Sequence, residues 1–146
     1  MSNYTLSKQA LQELMKDEGC VLKAYQDPGG VWSIGYGHTK NVTEGMVITQ
    51  DQALDFLYSD MADCANWINN LHLDINQNQF TALCDLAYNC GPGNMVKWGL
   101  ITMVRLNPNN PKIADVISLN GIHDKNGNLL TDLVKRRAKD IKIYFS

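Results

Sequence analysis

The stretch DEGCVLKAYQDPGGVWSIGYGHT, residues 17–39, sets a helix end against a tight corner and a strand. Asp27-Pro28-Gly29-Gly30 is a strong turn signal, because Pro presets the backbone at the second turn position and Gly is free to take positive φ. The β-formers on either side make this corner a hairpin, with arms near 22–26 and 31–36. In the second arm Trp32, Ile34 and Tyr36 fall on one face, and Val31, Ser33 and Gly35 on the other. Gly35 and Gly37 mark close backbone approach or an unusual φ. Ahead of the corner, Ala10, Leu11, Leu14 and Met15 form one stripe of a helix over 7–18. Ser7 is its N-cap, Leu6 and Leu11 have hydrophobic-staple spacing, and Gly19 is a stop signal.

Downstream the period changes to helical throughout. Thr49 with Gln52 is a capping-box pattern, followed by Ala53, Leu54, Leu57, Tyr58, Met61, Cys64, Ala65 and Ile68. Asn76 with Gln79 opens a second such helix, carrying Phe80, Leu83, Cys84 and Ala87 and ended by Gly91-Pro92-Gly93. Shorter helices are expected at 95–106 and 112–119, and a turn-rich loop at 121–128. Thr131 is the expected cap of a last helix with Leu133, Val134, Ala138, Ile141 and Phe145 on its apolar side. Lys135-Arg136-Arg137 reads as a solvated face, or as a patch that meets an anionic surface. The fold class is therefore α+β, mostly helical. One domain spans 1–146, with a small β-containing lobe over roughly 18–60 and a helical lobe over roughly 1–17 and 61–146. A cleft is expected between the lobes.

Bulk properties narrow the function classes. With 45% hydrophobic residues in 146, the chain can form a packed core. A formal charge of −2 argues against nucleic acid as the main partner. No apolar run approaches the roughly 20 residues that span a bilayer, so no stable membrane insertion is expected. The start, MSNYTLSKQALQEL, lacks the basic, apolar and small-residue segments of a signal peptide. Synthesis in the cytoplasm is the expectation. Cys20, Cys64, Cys84 and Cys90 form no Cys-x-x-Cys pair and no zinc spacing, so buried, reduced thiols are expected and no metal, with one disulfide of unassigned pairing as the alternative.

Two carboxyls are candidates for chemistry, and each also has a plain structural reading, Glu18 as a helix-end residue and Asp27 as an ordinary turn residue before Pro-Gly. Glu18 falls where the first helix ends, at the negative pole of its dipole and beside Asp17, and both effects disfavour its ionised form. A carboxyl kept protonated is what a general acid needs. Asp27 opens the turn, where backbone N–H groups and water favour a carboxylate. Contrasting carboxyls facing each other across a hairpin are the arrangement of glycosidases. Ser33 alone reads as a local hydrogen-bonder, and His38 as a base, a ligand or a structural group.

The same stretch resembles the signature of the phage-type lysozymes, a family of peptidoglycan-cleaving glycoside hydrolases. Glu18-Gly19, Tyr25, Asp27, Gly29-Gly30, Ser33, Ile34-Gly35, Gly37 and His38 match it with the same spacing. More weakly, QNQFTALCDLAYNCGPGN (77–94) is similar to that family's Gln-x-x-Ala-Leu helix, and LVKRRAKDIKIYF (133–145) to its closing helix. The segment around 95–130 matches poorly. The resemblance implies a lysozyme-like fold, Glu18 as general acid and Asp27 as the second carboxylate. Ser33 stands where the family usually has Thr, the residue that helps place the attacking water. Ser keeps the hydroxyl and loses the methyl that restricts its rotamer. Tyr25, His38, Thr39, Tyr88 and Asn89 become substrate-binding positions, with His38 also a support for the hairpin.

What this resemblance implies is a muramidase that cuts the β-1,4 bond between N-acetylmuramic acid and N-acetylglucosamine with inversion. It implies no cofactor, peptidoglycan as partner, a monomer, and an endolysin that reaches the wall through a holin. Alternatives are a glycan-binding module without activity, a lytic transglycosylase, against which Asp27 counts, and a cysteine–histidine hydrolase that no spacing supports.

Overall fold

A computed structural model describes residues 3–146. Met1 and Ser2, at the head of the segment read for an export signal, lie outside the described residues. The order is α1 (Lys8–Glu18), β1 (Val21–Gln26), β2 (Trp32–Gly35), α2 (Gln50–Asn70), α3 (Gln77–Cys90), α4 (Pro92–Lys97), α5 (Leu100–Leu106), α6 (Ile113–Leu119) and α7 (Thr131–Tyr144). The mostly helical α+β class stands as expected. The contacts gather into two compact units, Leu6–Asp63 and Cys64–Ser146 together with residues 3–5. This grouping places α1 with the hairpin, whereas the sequence pattern assigns residues 1–17 to the helical lobe.

In the first unit, Ser7 caps α1 by accepting from the Ala10 N–H at 3.1 Å, and Gly19 ends it at φ 64°. β1 and β2 pair antiparallel, with Tyr25 opposite Ser33 and Gln26 opposite Trp32. The backbone around 46–48 adds a short third rung, Ala24 N–H to the Met46 carbonyl and Ile48 N–H to that of Leu22, each 2.9 Å. Both faces of β2 are covered: Ser33, Ile34 and Gly35 are all buried, so alternation does not divide this arm into a wet and a dry side. The cause is α2, which lies against it. A Cβ built at Gly35 would come within 3.3 Å of the Ala53 Cβ, and its backbone is at φ 64°, so only Gly satisfies both demands. The Thr49/Gln52 box starts α2 as expected, with reciprocal bonds of 2.9 and 3.2 Å.

The second unit is built around α3. Phe80, Ala82, Leu83, Cys84 and Leu86 are fully buried, so this helix is enclosed nearly all round. Each buried Leu or Phe contributes about 1.5–3 kcal/mol by leaving water. Asn76 and Gln79 form the expected capping box, and Leu100, Val104, Ile113 and Ile117 are fully buried in the short helices. Gly91 ends α3, but Pro92-Gly93 begin α4 instead of a loop, since Pro suits a first helical turn. The helix expected over 95–106 is split, because Gly99 takes a left-handed conformation at φ 77°.

α7 corrects two expectations. Its N-cap is Leu130, and Thr131 is already inside the helix with no capping bond from a side chain. Its inward face is also not the apolar stripe. Arg136, Arg137, Asp140 and Tyr144 are buried, while Val134 and Phe145 are exposed. The Arg pair expected at the surface points into the protein because carboxylates on α3 and α7 meet it there.

Candidate active site

Asp27 and Ser33 are tied to one residue, Val31. The Val31 N–H donates to Asp27 Oδ1 at 2.8 Å, and the Ser33 hydroxyl donates to the Val31 carbonyl at 3.2 Å. That carbonyl also accepts from the Asp27 N–H at 2.9 Å, and the Gly30 N–H donates to the Asp27 carbonyl at 2.8 Å. The Asp-Pro-Gly-Gly corner thus closes on itself and fixes the Asp27 carboxyl by one oxygen, with Oδ2 outside these bonds. Ser33 is only 2% exposed. Its proton is committed to Val31, so towards any further group it serves as an acceptor.

Tyr25 is half-buried and pairs with Ser33 across the hairpin. Burial raises the pKa of its phenol above the usual value, and the charges of Glu18 and Asp27 raise it further. Both carboxyls therefore lie within electrostatic reach of one hydroxyl, although they sit on a helix end and a turn. Glu18 is half-buried and Thr39 exposed.

His38 is 7% exposed and engaged on two sides. Its Nδ1 is 2.7 Å from Asp60 Oδ2, and its ring stacks on Phe56 at 4.1 Å and 6°. Its N–H and carbonyl exchange 2.9 Å bonds with Ile34, so the Gly-Tyr-Gly turn is closed at its base. Asp60 and Phe56 are partners that no local sequence pattern signals. They lie at i and i+4 on α2, inside a long helix whose readable signal was its apolar face.

In the second unit Tyr88 and Asn89 occupy the last turn of α3, both half-buried. Asn89 Oδ1 accepts from Arg137 Nη2. Arg136 grips Asp85 through Nε at 3.3 Å and Nη2 at 3.0 Å, and Arg137 Nη1 lies 3.3 Å from Asp140 Oδ2. Among the described residues no three His, Cys, Asp or Glu side chains gather as a metal site. The four cysteines are free, and Cys20 is exposed where a buried thiol is expected. Among the described residues no helix is long and apolar enough to cross a membrane.

A two-stranded hairpin after a short helix, continued by a helical unit around a buried central helix, defines a lysozyme-like protein. The muramidase domain of SpmX from Asticaccaulis excentricus superposes with a TM-score of 0.81 at 28% identity, covering 98% of this chain and 99% of that one. The chain belongs to the phage lysozyme family, whose model matches residues 15–140. It is 42% identical over 87 residues to the endolysin of Acyrthosiphon pisum secondary endosymbiont phage 1, a match covering 59% of this chain and 60% of that relative. In that alignment the chain spans less than two thirds of the relative's length. To the SAR-endolysin of Haemophilus phage HP1 it is 31% identical over 145 residues, covering 92% of this chain and 78% of the relative.

Proposed function

We propose that this protein is a lysozyme-type peptidoglycan hydrolase that cuts the β-1,4 bond between N-acetylmuramic acid and N-acetylglucosamine, in the service of host lysis. Family membership supports the class of chemistry. The observation that carries the residue roles is the Val31 link, which holds the Asp27 carboxyl and the Ser33 hydroxyl on the two polar groups of one residue.

In this reading Glu18 donates its proton to the glycosidic oxygen as the bond breaks. A water donates one hydrogen to Asp27 Oδ2 and the other to the Ser33 hydroxyl oxygen. Its lone pair then points at the sugar carbon, on the face opposite the leaving group. Asp27 takes the proton as the water attacks. The Tyr25 phenol stays protonated between the two carboxyls and serves as a neutral donor to substrate. His38, with Asp60 and Phe56, fixes the loop that carries Ser33. Thr39, Tyr88 and Asn89 contact the glycan. The protein acts as a monomer, is made in the cytoplasm and reaches the wall after a holin opens the membrane.

The test is mass spectrometry of products from purified peptidoglycan, wild type beside Glu18→Gln. Reducing muropeptides carrying one added water are expected from the wild type, with turnover reduced at least about a hundredfold in the variant. Anhydro products would identify a transglycosylase instead. A Glu18→Gln protein as active as wild type would remove Glu18 from the mechanism.

A further inference from the structure

Asn89 sits at the end of α3 with its amide held from behind. Arg137, on α7 and fully buried, donates Nη2 to Asn89 Oδ1. Its Nη1 donates to Cys90 Sγ at 3.2 Å, and the Cys90 thiol donates in turn to Asn89 Oδ1 at 3.6 Å. Burial raises the pKa of that thiol, with the Arg137 charge opposing, so the proton needed for this donation stays on sulfur. A guanidinium carries donors only. The oxygen of Asn89 is therefore the end that faces Arg137, on chemical grounds that do not depend on telling oxygen from nitrogen in the coordinates. Rotating the amide would set two N–H groups against five.

The other end of the amide is open. Asn89 is half-buried, and its Nδ2 makes no hydrogen bond to any of the described residues. Arg137 cannot yield, because Asp140 flanks it and the neighbouring Arg136 is locked to Asp85 by two bonds. The result is a pair of N–H donors aimed outward and unable to invert into an acceptor.

We propose that Arg137 is a positioning residue that makes Asn89 a fixed donor for an acceptor oxygen of the N-acetylated glycan. A free surface Asn presents either end and reads donors and acceptors alike. This one reads acceptors alone. The inference rests on the reading of the chain as a peptidoglycan hydrolase whose glycan contacts Asn89, and adds to it the residue that sets the polarity of that contact.

Asn89→Asp separates the two ends. The carboxylate keeps an oxygen for Arg137, with an ion pair in place of a neutral bond, and loses the outward N–H groups. The expected result is an unfolding midpoint equal to or above that of wild type. Affinity for the tetramer of N-acetylglucosamine should fall about tenfold, and the loss on peptidoglycan should appear in KM more than in kcat. A merely structural Asn89 predicts no loss of binding in this variant. Arg137→Lys, which retains the charge and not the fork, should weaken tetramer binding by a similar factor. If that variant fails to fold, Asn89→Asp still decides.

Asn89→Asp binding the tetramer as wild type does would overturn the inference and leave the hydrolase reading intact. A wild type that neither binds the tetramer nor releases muropeptides would overturn both.

Discussion

Beside the hairpin lies one imidazole–carboxylate contact: His38 and Asp60, with side chains 8% and 24% exposed and an aromatic ring stacked on the imidazole. Between α3 and α7, four charged side chains lie together, and Arg137 and Asp140 are each 1% exposed. The first arrangement is a clamp on a loop, held by one carboxylate and one stacked ring, with the carboxylate partly open to water. The second is part of the interior, where charge stands in for apolar packing. What separates them is solvation. Water can replace a lost partner at Asp60, whereas nothing replaces one at Asp140. The buried group is not fully satisfied even when intact, since Arg137 Nε and Asp140 Oδ2 lack hydrogen-bond partners. Its role is therefore better described as specifying how α7 docks on α3 than as a surplus of stability.

This comparison breaks most visibly at Arg137. Arg137→Met keeps much of the volume and removes the donors to Asn89 and Cys90. Leaving the buried acceptors on Asn89 and Cys90 unsatisfied costs about 1–3 kcal/mol each. Urea unfolding should show a loss of that order. A loss under about 1 kcal/mol, the scale of a surface pair, would mean that water already enters the site and that the contrast is false.

A subtler probe is pH. Burial pushes the Asp140 carboxyl up to about 9, helped by its hydrogen bond with Asp85 and by that residue's charge, while Arg137 and Arg136 oppose. Asp85 moves the other way: burial resists, but the hydrogen bond from Asp140 and the Arg136 guanidinium hold it below the usual carboxylate range. Cys90 also faces this group. The signs follow from proton linkage. The contribution of Asp140 is complete below its ordinary value near 3.8 and is lost as pH rises towards 9, because the folded state holds a proton that the unfolded chain has released. The contribution of Asp85 is present above the ordinary range and is lost on acidification. Asp140→Asn cannot ionise and still offers Asp85 a donor. Its unfolding midpoint should lie closest to wild type below about pH 4 and exceed it by several degrees near pH 9. Parallel curves from pH 5 to 9 would show that Asp140 does not hold its proton.

The two regions also differed in how much of them was legible beforehand. The hairpin announced itself through Asp-Pro-Gly-Gly, because turn chemistry is local and a few residues determine it. The caps at Ser7, Thr49 and Asn76 were legible for the same reason. The carboxyls, Tyr25 and Ser33 are close in sequence, so their neighbourhood could be inferred, although the link through Val31 could not. Periodicity points to the wrong face of α7, because it assumes that the buried face is the apolar one. The residues that turn inward, Arg136, Arg137 and Asp140, repeat at helical spacing as an apolar stripe would. Their partner Asp85 lies 51 residues before Arg136, and no local pattern signals an ion pair at that distance. The same holds for Asp60, which is 22 residues from His38.

Asp60 offers the smallest of these effects, and the one that bears most directly on the site. Asp60→Ala removes a partly exposed carboxylate from His38 Nδ1, so the loss should be about 1.5–2 kcal/mol, the lower part of the range for hydrogen bonds to charged groups. Phe56 keeps its stacking contact and limits the damage. The consequence for activity follows from connectivity. His38 exchanges two backbone bonds with Ile34, and Ile34 is the neighbour of Ser33, whose hydroxyl is fixed on Val31. Slack at His38 therefore passes through a closed turn to the proposed water site, and Glu18, the proposed general acid on α1, is untouched. Turnover should fall a few-fold in kcat with KM nearly unchanged. If Asp60→Ala lowers stability and leaves kcat at the wild-type value, the clamp holds the fold alone, and the two charge sites differ in solvation but not in their connection to catalysis.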